Sequence, residues 1–186
     1  MHRSVVNVFA TAFVAIPLVA AVGADFASAA NVHFKQNRNP IFTDQGLSLN
    51  AKGVLVGLGG GDILVLMVAR ADVVSTCTNP AGNSQPPGQN PAPITVGGSD
   101  AIPQSQIKNG NAPFNVTTNP PDPTIAGAPD CPNSRWTEAI EDLKFTSATI
   151  RVEQPPGTTV LTVACTFSQP TSDGIVPKAN VSCVKQ

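Results

Sequence analysis

Apolar positions along this chain form one long run near the start and, further on, several short alternating stretches. The long run spans residues 5–22, follows the basic start Met1-His2-Arg3 and is followed by the small-residue sequence Ala27-Ser28-Ala29. A charged start, an apolar centre and a small-x-small ending are the architecture of an export signal. Residues 1–29 are therefore expected to be removed, with Val22-Gly23-Ala24 as an earlier cleavage site, and residues 30–186 to form one secreted domain. Asn7, Thr11 and Pro17 interrupt the run, which argues against a permanent membrane span.

Beyond the signal the period is two. Val32 to Lys35 reads as an edge strand in a polar, poorly ordered stretch that reaches residue 46. Leu47-Ser48-Leu49 alternates, residues 54–58 and 63–68 are apolar, and Gly59-Gly60-Gly61-Asp62 separates them. Two β-branched runs around a glycine turn predict a hairpin, with a bulge near Ala71-Asp72. From Trp136 the parity of apolar positions switches twice: Trp136 and Ile140, then Leu143 and Phe145, then Ile150 and Val152. Because side chains in a strand alternate strictly, each switch requires an irregularity, near Glu141-Asp142 and near Thr146-Ser147. Gln154-Pro155-Pro156-Gly157 predicts a turn, residues 159–167 a long strand, and Val181-Ser182-Cys183 its neighbour. Seven to nine short strands without a convincing helix predict an all-β fold, an antiparallel β-sandwich of immunoglobulin-like type.

Composition divides the chain further. Twelve of the 18 prolines lie between Pro80 and Pro132, among many Asn, Gly and Gln. Such a segment excludes helix and long central strands; it leaves short strands at residues 94–96 and 114–117 and a tight Asn109-Gly110 turn. The four cysteines, Cys77, Cys131, Cys165 and Cys183, contain no C-x-x-C pair, and in an exported chain they predict two disulfides. Three connectivities are open. Cys77 with Cys131 and Cys165 with Cys183 is favoured, because the first pair brackets the Pro-rich block and the second joins two apparent strands. Loops of about 55 and about 19 residues would each contribute about 3–4 kcal/mol by chain entropy.

Lys and Arg total 11, Asp and Glu 12, for a net charge of -1, so nucleic acid is not an expected partner. No cofactor or metal is expected. His33 is the one histidine outside the signal, no G-x-S-x-G is present, and serine-hydrolase chemistry lacks its base. Glu138 and Glu153 read as solvent-facing strand residues and Glu141 and Asp142 as turn residues, though a carboxylate hydrolase site near Glu141 and Asp142 is the alternative reading. Asp122, Asp130 and Asp142 lack the spacing of a calcium loop and read as Asx-turns. Trp136 is the one large ring able to stack on a sugar, but its place in an alternating strand favours the core. The triplets at Asn115 and Asn180 match glycosylation sequons.

Cys77-Thr78-Asn79-Pro80, Gly82-Asn83, Pro87-Gly88-Gln89-Asn90-Pro91, Lys108-Asn109-Gly110-Asn111 and Cys131-Pro132-Asn133 with Trp136-Thr137 together resemble a family of small secreted bacterial proteins of uncharacterised function. The resemblance spans about residues 54–153 and implies an exported bacterial protein; it carries over no activity. The expectation is a non-catalytic extracellular binding or envelope-associated module with an unidentified extracellular partner. Its contacts would come from the disulfide-closed loop layer, with Asn79, Asn83, Gln89, Asn90, Asn109 and Trp136 as candidate residues. A stapled protease-inhibitor loop is a further possibility.

Overall fold

The computed structural model describes residues 31–186, so the expected signal lies outside the described residues. The strands in chain order are β1 (His33–Phe34), β2 (Ile41–Asp44), β3 (Leu49–Val56), β4 (Ile63–Thr78), β5 (Ser84–Gln85), β6 (Ile94–Ile102), β7 (Asn111–Thr117), β8 (Thr124–Ile125), β9 (Thr137–Glu153), β10 (Thr159–Phe167), β11 (Gly174–Ile175) and β12 (Val181–Lys185). Three single 3₁₀ turns are the only helical elements among the described residues. All pairings are antiparallel, in a five-stranded and a seven-stranded sheet.

In the smaller sheet β3 is central. β7 pairs with it over residues 50–56 on one edge, which leaves the other edge to β2, at residues 49–52, and β1, at residues 55–56; β11 lies outside β2. In the larger sheet β4 is central, between β9 on one edge and β6 with β5 on the other, and β10 and β12 extend the sheet beyond β9. Both sheets contribute to one core. Leu49, Ala51 and Leu55 of β3 join Ile63, Val65 and Met67 of β4 there, and Phe42 of β2 meets Phe167 of β10 edge-on across it at 5.2 Å.

The predicted hairpin between residues 54–58 and 63–68 does not form. β3 and β4 belong to different sheets, and the glycine turn carries the chain across the sandwich. Gln154, 4% exposed, holds that crossing. Its Oε1 accepts from Gly59 N at 2.9 Å, while its Nε2 donates to the Gly59 and Gly61 carbonyls at 3.0 and 3.1 Å. Two apolar runs around glycines fit side-by-side and face-to-face placement equally well, and burying both inner faces in one core favours the second.

The two predicted irregularities of β9 are present. The pairing with β4 skips Glu141 and Thr146, and the buried parity switches at both points. The bulge expected near Ala71-Asp72 lies on this facing strand instead, because β4 keeps odd-numbered residues buried from Ile63 to Cys77 without interruption. Both favoured disulfides are present, and Cys165–Cys183 joins directly paired residues of β10 and β12.

Three further expectations are corrected. Residues 31–46 are built into the fold, with Val32, Phe34, Phe42 and Asp44 buried. The Pro-rich block is not one loop layer: its middle forms the nine-residue β6 and the seven-residue β7. Proline is tolerated there because Pro113 lies in an outer strand of its sheet. Gly98 makes the join between the sheets possible, since a Cβ on it would lie 1.9 Å from the Thr117 carbonyl oxygen. Finally, Trp136 precedes β9 in a bend and is half-buried, so it is not the core tryptophan its alternation predicted.

Candidate functional site

The site follows from a gap in pairing along β3. β1 and β2 share one edge of that strand but skip Gly53 and Val54, because the chain between them loops outward through a 3₁₀ turn, Lys35–Asn37, and Pro40. Beneath the gap the core is closed by two rings. A Cβ on Gly53 would lie 2.8 Å from the Phe114 ring, so glycine lets that ring cover the strand, and Phe34 stacks on Phe114 at 5.6 Å. Residues 175–178 and Val181 form the far wall, and Asn39 Nδ2 donates to the Val181 carbonyl at 3.1 Å across it.

The result is a groove of about 740 Å³, within the size range of small-molecule sites, roughly 300–1,000 Å³. Phe34, Pro40, Ile41, Val54, Ile175 and Val176 give it apolar walls. Lys35, Arg38, Lys52 and Lys178 also line it, and no carboxylate does. The one ion pair among the described residues is Arg151–Glu153, so none of these four cations is neutralised within them.

The sequence-derived candidates lie elsewhere. None of Asn79, Asn83, Gln89, Asn90, Asn109 and Trp136 lines the groove. Asn79 is occupied in its own turn, where its Oδ1 accepts from Ala81 N and Asn83 N, both at 2.9 Å. Asn83, Gln89 and Asn90 are exposed in the loops beside the Cys77–Cys131 bridge, where Gly88 N donates to the Asp130 carbonyl. Asn109 sits in its predicted turn with φ 52°, but beside the end of β3, where Val56 pairs with Asn111 and Leu58 N donates to the Gly110 carbonyl. Asn79 and Asn83 instead follow the far end of the 16-residue β4, after Thr78.

Glu141 and Asp142, the residues of the alternative carboxylate site, have different neighbours. Glu141 turns outward and accepts from Thr76 Oγ1 at 2.7 Å. Glu138 and Glu153, expected to face solvent, are buried: Glu138 shares the inner parity of Ile140, and Glu153 follows Val152 on the outer parity but is covered at the end of β9. Glu138 accepts from Ser75 Oγ at 2.9 Å and from Asp130 N, and Glu153 accepts from Gly157 N at 2.7 Å. Asp122 caps its own turn at Thr124 N, as an isolated loop aspartate does.

Asp142 instead meets Asp44 and Asp173, with carboxylate oxygens of all three within 4.8 Å of one another. Asp44 is buried and accepts from Gly46 N and from Thr171 Oγ1, which itself accepts from Phe145 N. Burial raises the Asp44 pKa above its ordinary value; the Thr171 and Gly46 hydrogen bonds oppose the rise, and Asp142 and Asp173 add to it. The Asp-x-Gly of residues 44–46 was a readable turn signal; its meeting with Asp173 was not, since 129 residues separate them.

No family model matches the chain, and neither a curated protein nor a solved structure is significantly similar to it. The two disulfides are those of a protein from an oxidising, non-cytoplasmic setting. Among the described residues no helix is long and apolar enough to cross a membrane.

Proposed function

We propose that this chain is a secreted, non-catalytic binding module. Its two-layer sheet architecture is read as immunoglobulin-like, and its contact surface is the groove at the gap in β3 rather than the Pro/Asn/Gly loops. The observation that carries this reading is the groove itself: a concavity of small-ligand size with apolar walls, surrounded by cations that have no ion-pair partner among the described residues. None of the loop residues that sequence singled out lines it. Among the described residues, none that lines the groove is a carboxylate, histidine or cysteine able to act as base or nucleophile, which supports binding over catalysis.

An anilinonaphthalene sulfonate probe, an apolar fluorophore with one negative charge, tests the location. It is expected to bind the folded protein saturably and one-to-one. Ile175→Asp should abolish binding without unfolding the chain, because Ile175 is 71% exposed. Deleting residues 82–92 should leave binding unchanged. Binding that survives Ile175→Asp and disappears with the loop deletion would return the site to the loops.

A further inference from the structure

The walls and rim of the groove ask for two different things of a ligand. Ile175 and Ile41 stand at the groove 71% and 38% exposed, and apolar surface of this kind gains by being covered. Lys35, Arg38, Lys52 and Lys178 supply four positive charges with no carboxylate in the lining. A small polyanion would answer the cations and leave the apolar walls wet. A neutral hydrocarbon would cover the walls and gain nothing from the charges. One molecule meets both demands when an apolar chain ends in an anionic head.

On the reading of this groove as the binding site, we infer that its occupant is a single-chain amphiphile, an unbranched acyl or alkyl chain ending in a carboxylate, sulfate or phosphate. The chain lies along Val54, Ile41 and Ile175, and the head is held by the surrounding cations. The shape agrees: the groove is open along one edge of β3, where neither β1 nor β2 pairs with Gly53 and Val54, so a flexible chain enters from the side without any element moving. The cations are solvent-exposed, so the head contributes a salt-sensitive part of the affinity and the chain contributes the rest.

Isothermal titration with the purified protein and monomeric ligands below their micellar concentrations tests the inference. Along the alkanoates from hexanoate to dodecanoate, Kd is expected to tighten by about two- to fourfold per added methylene, the range that buried CH₂ groups give. Dodecanol and dodecyltrimethylammonium should bind at least ten times more weakly than dodecanoate at low salt. Combined Lys35→Gln, Arg38→Gln and Lys52→Gln substitutions should weaken dodecanoate by about tenfold and leave dodecanol unchanged. Dodecyl phosphate and dodecyl sulfate should bind like dodecanoate if any anionic head suffices; a preference among the three identifies the head.

Equal affinity for all three head charges, with loss in Ile175→Asp, overturns the anionic head and leaves the groove as an apolar site. Acetate or inorganic phosphate binding as tightly as dodecanoate overturns the chain. Failure of every chain ligand, with the anilinonaphthalene probe also unbound, overturns the groove reading as well. Binding to anionic phospholipid vesicles without binding of monomeric dodecanoate overturns the single-molecule site in favour of a membrane surface.

Discussion

Gln154→Ala should be among the more costly single substitutions in this protein, although the residue lies in a turn. Its carboxamide makes three hydrogen bonds to the backbone of the only direct β3-to-β4 connection, at 2.9, 3.0 and 3.1 Å, and is 4% exposed. The amide orientation is determined by its partners, since reversal would set its oxygen against two carbonyl oxygens. Each such bond contributes about 1 kcal/mol net, and a partner left dry costs more. Gly59 and Gly61 are only half-buried, so water replaces part of the loss. The expected destabilisation is therefore about 2–4 kcal/mol, a fall of about 1–2 M in urea midpoint for a slope of about 2 kcal/mol/M.

Gln154→Glu sharpens the test. It retains the acceptor for Gly59 N but turns a carboxylate oxygen toward the Gly59 and Gly61 carbonyls. At pH 7 it should be less stable than Gln154→Ala, and it should recover partly in acid, where the protonated side chain regains one donor. Equilibrium urea unfolding with both disulfides oxidised measures all of this. A Gln154→Ala midpoint within about 0.5 kcal/mol of the parent, the scatter of ordinary surface changes, or a Gln154→Glu variant as stable as the parent at pH 7, would refute the account of the crossing.

Two other outcomes are expected. Replacing Cys77 and Cys131 by Ala should cost about 4 kcal/mol and replacing Cys165 and Cys183 about 3 kcal/mol, because the closed loops differ threefold, 54 against 18 residues of separation; urea midpoints that reverse this order would count against loop closure as the dominant effect. For Asp44, the folded state holds the proton more tightly than the unfolded chain, whose carboxyl has the ordinary value near 3.8. Its contribution is thus fully present below that value and is lost as pH rises through the higher folded value. The stability of the parent relative to Asp44→Asn should therefore increase as pH falls from 7 toward 3, and a difference that is flat or of opposite slope in pH-dependent melts would show that burial does not control this group.

Local periodicity determined the strands. The two parity switches of β9 were legible because a side chain in a strand has only two faces, so an apolar residue on the wrong parity forces a bulge wherever the partner strand is. The disulfide pairing was legible because each pair bracketed or joined recognisable elements. Residues 31–46 looked poorly ordered because the stretch is polar, and no local pattern reveals that Phe34 and Phe42 complete a core supplied by other strands.

Which strands became neighbours was decided only in three dimensions. β3 and β4 carry the apolar runs of a hairpin yet face each other across the sandwich, a choice made by burial of both inner faces and by a glutamine 95 residues beyond Gly59. The groove has the same origin. It exists because β1 and β2 leave one edge of β3 open at Gly53 and Val54 while Phe34 and Phe114 close the core beneath. A missing partner has no signature in the sequence of the strand that lacks it, whereas the loop residues that looked functional carry strong local turn signals and use their side chains, as Asn79 does, to make those turns.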